Sequence, residues 1–256
     1  MARLVGLLSC DPKAVLPANE DYGHFTAMQV RRGATRGLQL HLDRLDAANP
    51  ELFGEPLDGG FVRARLREEL GGTVDASVRF TVRRRAGEPA DAPSVTVTID
   101  DPVAMIEEPL RLMRVVYQRP LAHIKHLASA NQQRLRQQAL DAGFDEALLT
   151  NEEGAISEGA ITNVGFFDGT AVLWPNAPSL PGITMQLIVP ALAARDHPSV
   201  RRSVGLADVG SYRAAFVTNS WGVATIGAVD NTEIPHDAEF ALTLAAAYES
   251  LPWDPI

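Results

Sequence analysis

Apolar and polar residues alternate through His24-Phe25-Thr26-Ala27-Met28-Gln29-Val30, a two-residue period that predicts a strand, and Gly33 and Gly37 mark a turn behind it. The period then lengthens. Leu42, Leu45, Ala48 and Leu52, with Asp43, Arg44 and Asp46 between them, fit one face of a helix, which Pro50 would kink or divide near its end. A second amphipathic helix over 61–70 carries apolar residues at 62, 66 and 70 and stops at Gly71-Gly72. Strands are expected over 74–82 and 94–99, around a polar connection at 83–92, and again over 110–117. Past Gln118-Arg119-Pro120 the texture changes. A long polar helix over 131–142 closes at Gly143. Strands follow over 146–150, 161–167 and 171–174, separated by Asn151-Glu152-Glu153-Gly154 and Asp168-Gly169. Residues 184–194 read as a helix, 214–218 as a buried strand and 238–251 as a terminal helix. Antiparallel hairpins with helices make this an α+β chain: a smaller N-terminal α/β domain over 1–118, a linker over 119–124 and a larger domain over 125–256.

Composition narrows the class. At 256 residues, 46% hydrophobic and 21% charged, the chain is long enough for one large or two modest domains and composition rules out intrinsic disorder for most of it. Its 32 acidic residues outnumber 23 basic ones, a net charge of −9 that offers no footprint for nucleic acid. No apolar run reaches the ~18 residues that span a membrane, and the N-terminus lacks a secretory signal, so a cytoplasmic protein is expected. A lone cysteine, Cys10, excludes a disulfide framework and a multi-cysteine metal site.

Lysine is nearly absent. Only Lys13 and Lys125 occur, the other 21 basic residues being arginine. Lys13 lies in the polar turn Asp11-Pro12-Lys13. Lys125 lies in the apolar, imidazole-rich stretch Pro120-Leu121-Ala122-His123-Ile124-Lys125-His126-Leu127. Arginine neither forms a Schiff base nor readily deprotonates, whereas a buried lysine shifts its pKa. Lys125 is therefore the candidate for lysine chemistry, against an incidental lysine at a domain junction.

Three further segments bear on chemistry. Leu180-Pro181-Gly182-Ile183-Thr184 enters a helix whose first amides favour a phosphate, or simply forms an N-cap after a Pro-Gly turn. Glu158, in Gly154-Ala155-Ile156-Ser157-Glu158-Gly159-Ala160-Ile161-Thr162-Asn163, stands between a hairpin turn and an apolar strand. A carboxylate there needs a partner, a protonated pyridine or an arginine. Val217-Thr218-Asn219-Ser220-Trp221-Gly222 puts small polar groups after a buried strand, as a ligand loop or a plain turn would. His123 and His126 lack the neighbours of a zinc pattern, so no metal is expected. G-x-G-x-x-G and G-x-S-x-G motifs are absent.

Taken in order, these pieces resemble the fold-type-IV pyridoxal-phosphate enzymes, the family of branched-chain and D-amino-acid aminotransferases, R-selective amine transaminases and aminodeoxychorismate lyases. The resemblance runs from Tyr22-Gly23-His24-Phe25-Thr26 through His41-Leu42-Asp43-Arg44-Leu45, Ile124-Lys125-His126-Leu127 and Gly143-Phe144-Asp145-Glu146-Ala147-Leu148-Leu149. It continues through the Glu158 segment and the Leu180 segment to Thr218-Asn219-Ser220.

The resemblance implies a two-domain fold with pyridoxal 5'-phosphate in the interdomain cleft. Lys125 would hold the cofactor covalently and then move the proton. Glu158 would pair with the pyridine nitrogen. Arg44, Ile183, Thr184 and Ser220 would bind the phosphate, and Asn163 would support the Glu158 strand. Tyr22, Arg79, Arg84 and Trp221 are the candidate pocket residues, an arginine there binding a substrate carboxylate by two points; surface charge on a strand is the plainer reading of Arg79 and Arg84. A class IV aminotransferase acting on an amino donor and a 2-oxo acid is the favoured reading, as a homodimer. An aminodeoxychorismate lyase is the alternative, followed by a cofactor-free relic of the fold. Ala130 stands where branched-chain aminotransferases often present a tyrosine, and Asn219-Ser220 looks lyase-like.

Overall fold

A computed structural model describes residues 22–84 and 93–256; Cys10, Lys13 and most of the expected polar connection lie outside them. The chain opens with β1 (Tyr22–Arg31) and the short β2 (Ala34–Thr35), joined by a turn in which Arg32 and Gly33 both take positive φ. Helices α1 (Leu38–Phe53) and α2 (Gly59–Leu70) follow, then β3 (Ala76–Arg84) and β4 (Ser94–Asp100). Pro50 sits inside the last turn of α1 without dividing it, and the helix stops at left-handed Gly54, whose N–H bonds Pro50 O at 2.9 Å. Asp58 caps α2 by accepting from the Gly60 and Phe61 amides.

Strand parity organises this first layer. Leu38, Leu42 and Leu45 of α1 and Val62 and Leu66 of α2 pack on Met28, Val78, Phe80 and Val82, which share one face of β1 and β3. Burying each such side chain contributes roughly 1.5–3 kcal/mol. The opposite face, with Phe25, Ala27 and Arg79, is left free of helices.

The second layer begins at β5 (Leu110–Val116) and continues with α3 (Ala130–Asp141), β6 (Glu146–Thr150), β7 (Ile156–Gly159), β8 (Asn163–Phe167) and β9 (Val172–Pro175). Then come α4 (Ile183–Ala193), β10 (Ser199–Arg202), β11 (Ala214–Asn219), β12 (Gly222–Val229), β13 (Thr232–Glu233) and α5 (Ala238–Glu249). These strands make a nine-stranded sheet, ordered β10-β9-β8-β11-β12-β5-β6-β7 with β13 on β12. Finally β14 (Asp254–Pro255) returns to the first sheet, whose order is β14-β2-β1-β3-β4.

The mixed helix-and-sheet class is as expected, with three local differences. Pairs β5–β6, β5–β12 and β9–β10 are parallel, so the sheet is more than a set of antiparallel hairpins. Strand β5 joins the larger sheet although it precedes residue 118. The expected strand over 161–167 starts later, as β8, and the strand β7 before it was not expected: the Gly159 N–H bonds Thr162 O at 2.8 Å, and this tight turn separates the two. None of the described helices is long and apolar enough to cross a membrane.

Candidate active site

The helix-free face of the first sheet looks onto a cavity of about 320 Å³ whose other walls come from the second layer. The two layers meet at Lys125. Its carbonyl accepts the Phe25 N–H at 2.9 Å, and the Leu127 N–H bonds Gly23 O at 2.8 Å, so the lysine segment is paired onto β1. The lysine Nζ lies 4.9 Å from the centre of the Phe25 ring. Burial, then the Arg44 and Arg119 guanidinium groups, lower its pKa to about 7, while Glu158 opposes the shift.

Glu158 reaches the cavity from β7, only 4% exposed. One oxygen accepts the Leu180 N–H at 3.0 Å; the other faces Arg119 Nη1 at 3.4 Å. Burial raises its pKa, and Arg119 and the Leu180 amide pull it back. Arg119 also donates to Ile124 O, which ties the carboxylate's partner to the backbone beside Lys125.

A third corner is built for an anion. Helix α4 starts at Gly182 with no side-chain cap, which leaves its first amides, Ile183 and Thr184 included, without side-chain acceptors. Arg44 reaches the same corner and donates to Pro181 O at 2.7 Å. Burial and Arg119 lower its pKa to about 10. Thr184 Oγ1 donates to Asn219 O at 2.6 Å, joining α4 to the Asn219–Gly222 turn where Ser220 lines the cavity. Asn163 Nδ2 donates to Leu180 O at 2.7 Å, and a β-carbon at Gly182 would overlap Asn163 Oδ1, so only glycine lets this turn pack on β8. Thr162 and Thr218 hydroxyls line the cavity, buried and without a hydrogen-bond partner among the described residues. His41 lines it too, its Nδ1 2.6 Å from Thr26 Oγ1; burial, then Arg44 and Lys125, push its pKa down to about 3 and keep the ring neutral.

All seven residues expected at a cofactor, Arg44, Lys125, Glu158, Asn163, Ile183, Thr184 and Ser220, line this one cavity. Of the four pocket candidates it brings in Arg79 and Trp221 and not Tyr22 and Arg84. The cause is register. Arg79 pairs with Ala27 on the cavity face, whereas Arg84 pairs with Tyr22 on the helix face. There the Arg84 guanidinium donates to the Tyr22 hydroxyl at 3.0 Å and lies over the Phe53 ring. Ala130 is exposed and off the cavity wall; Gln133 and Arg136, further along α3, are on it. Arg119, His41, Gln133 and Arg136 were not singled out by sequence. The Arg119 signal was its place six residues before the rare lysine.

Residues 23–229 match the family model for amino-transferase class IV. No curated protein matches the sequence. Among solved structures, a provisionally assigned 4-amino-4-deoxychorismate lyase from Legionella pneumophila superposes with a TM-score of 0.79 at 17% identity, over 95% of each chain. A branched-chain amino acid aminotransferase (T.th.), complexed with N-(5'-phosphopyridoxyl)-L-glutamate, gives 0.80 at 18% identity, over 89% of this chain and 83% of that one. A hypothetical aminotransferase from Mycobacterium tuberculosis, in a form binding alpha-ketoglutarate and PMP, gives 0.76 at 20% identity, over 97% and 95%. At these identities the likenesses speak for the fold. With the family model spanning most of its length, the chain belongs to the class IV aminotransferases, the fold-type-IV pyridoxal-phosphate enzymes.

Proposed function

We propose that this chain binds pyridoxal 5'-phosphate on Lys125 and transfers an amino group between an amino acid or amine and a 2-oxo acid. The observation that carries this reading is the convergence of three unlike groups on one cavity: a desolvated lysine, a buried carboxylate and an uncapped helix N-terminus beside an arginine. Buried cations crowd one another there, and a dianionic phosphate relieves that repulsion. When bound, the cofactor supplies an electron sink for the charge left on a substrate carbon after a proton departs.

The chain's residues divide the remaining work. Arg44, the Ile183 and Thr184 amides and the Ser220 hydroxyl hold the phosphate. Glu158, whose carboxylate Arg119 and the Leu180 amide support against the effect of burial, would hold the proton on the pyridine nitrogen. Asn163 keeps the Leu180–Gly182 turn against the strand. Lys125, with its pKa near 7, is a base at neutral pH and moves the proton at Nζ. Arg79 binds a substrate carboxylate and Trp221 walls the pocket. Tyr22 and Arg84 act as packing on the helix side of the sheet. The active form is a homodimer, which light scattering of the native protein tests; a fully active monomer would refute it.

Borohydride treatment followed by peptide mass analysis tests the cofactor assignment: a pyridoxyl group on the Lys125 peptide is expected, and its absence sinks the reading. The lyase is the second reading, favoured by the Asn219-Ser220 pair. A panel of amino donors with pyruvate or 2-oxoglutarate, run beside aminodeoxychorismate, separates the two. Formation of 4-aminobenzoate and pyruvate, with no donor converting the cofactor to its amine form, would replace transfer by elimination.

A further inference from the structure

Arg136 is the cation of the cavity wall that the proposed chemistry leaves without a task. Among the described residues six cations line the cavity, Arg36, Arg44, Arg79, Arg119, Lys125 and Arg136, against one carboxylate, Glu158. Most are already matched. Arg36 pairs with Glu249 at 3.2 Å and stacks on the Tyr248 and Trp253 rings. Arg119 pairs with Glu158, Arg44 belongs to the phosphate corner and Lys125 titrates near neutrality. Arg79, 3.6 Å from the centre of the Phe25 ring, is taken in the proposed function by the carboxylate next to the reacting carbon.

Arg136 is matched only loosely, by Glu146 at 3.8 Å. Its Nε is buried and makes no hydrogen bond among the described residues. The nearest carboxylate oxygen, Glu146 Oε2, stands at 3.8 Å, outside hydrogen-bond reach. That carboxyl group is 3% exposed, is already bonded by the Ala147 N–H at 2.8 Å, and is pushed up to about 7 by burial, so it is a partial counter-ion at best. On its cavity side the guanidinium lies 6.0 Å from the centre of the Trp221 ring, beside the turn that carries Ser220. A guanidinium backed by a buried acid and open to the cavity is suited to gripping an incoming carboxylate.

We infer that Arg136 is a specificity-determining residue that binds a second carboxylate of the substrate, so that the site selects dicarboxylic over monocarboxylic substrates. This rests on the pyridoxal-phosphate reading above and holds for transfer or elimination alike.

The test titrates the cofactor-loaded native protein with glutarate and with pentanoate, which has the same carbon count and one carboxylate fewer. Binding is read from the cofactor absorbance and checked by calorimetry. Glutarate should bind more tightly by about tenfold or more, and Arg136→Met should bring the ratio close to one while pentanoate binding stays nearly constant. Arg136→Lys should keep part of the preference, and Arg84→Met, on the helix face, all of it. Should Arg136→Met not fold, Arg136→Gln carries the same expectation. Equal affinities in the native protein, or a ratio unchanged in the Arg136 variants, would overturn the assignment. A native protein that takes up no cofactor would instead overturn the proposed function beneath it.

Discussion

The two sides of the cavity wall are built by different means. Around Lys125 nearly every group is tied to main chain: the lysine carbonyl to Phe25, Glu158 to the Leu180 amide, Asn163 to Leu180 O and Arg44 to Pro181 O. Other polar groups of the wall are long side chains, Arg79 from a strand face, stacked on the Phe25 ring, and Gln133 and Arg136 from a helix face, with Arg136 facing the Trp221 ring. The difference separates two tasks. Backbone tethers fix a geometry that the reaction cannot vary, whereas flexible side chains set which substrate enters and can change without disturbing the chemistry.

Substitutions on the tethered side should therefore break catalysis or folding, and those on the other side only selectivity. Lys125→Ala is expected to lower turnover by more than about a thousandfold with an unchanged circular dichroism spectrum, since it removes the base and the covalent anchor together. A residual rate within tenfold of native would dissolve the contrast. Glu158→Ala leaves Arg119 buried without its partner and should cost about 3–5 kcal/mol, read from urea unfolding.

Lys125 also makes the cofactor-free protein pH-sensitive. Its folded pKa, about 7, lies below the ordinary 10.5, so between those values the unfolded chain binds more protons and stability rises with pH. Melting temperature should climb from pH 7.5 to 9.5, and Lys125→Met should flatten the climb. A flat native profile would mean that the lysine is not desolvated. On the selective side, Arg79→Met should raise KM for a carboxylate substrate by roughly tenfold with little change in cofactor absorbance. The smallest effect belongs to Arg84→Met, five residues along the same strand: KM should stay within a factor of about two.

That last pair marks where the sequence could be read and where it could not. Lys125 was legible because lysine is so rare here, Glu158 because a carboxylate beside an apolar strand demands a partner, and the α4 corner because Pro-Gly before a helix exposes amides. Arg79 and Arg84 look alike in the sequence, although an odd spacing on a strand sends them to opposite faces. Which face meets a cavity depends on the pairing of β1 with β3, a non-local fact. Arg119 was hidden for the same reason, since it matters through Glu158, 39 residues along the chain, and Arg136 because only the folded chain turns its face of α3 to the cavity. The strands β7 and β10 are four residues each, too short for periodicity to show, and glycines interrupt β12.

The pairing of Lys125 onto β1 carries a consequence for motion. Two main-chain hydrogen bonds, from Phe25 to Lys125 and from Leu127 to Gly23, bracket the single bridge between His24 and His126. So short a clasp can open without the rest of the sheet unfolding, and whenever it opens the lysine leaves its place. Amide hydrogen exchange at Phe25 and Leu127 thus counts the excursions of the reactive residue. The fraction of molecules poised for reaction is set by that local equilibrium, and a change that leaves the melting temperature untouched can still empty the site.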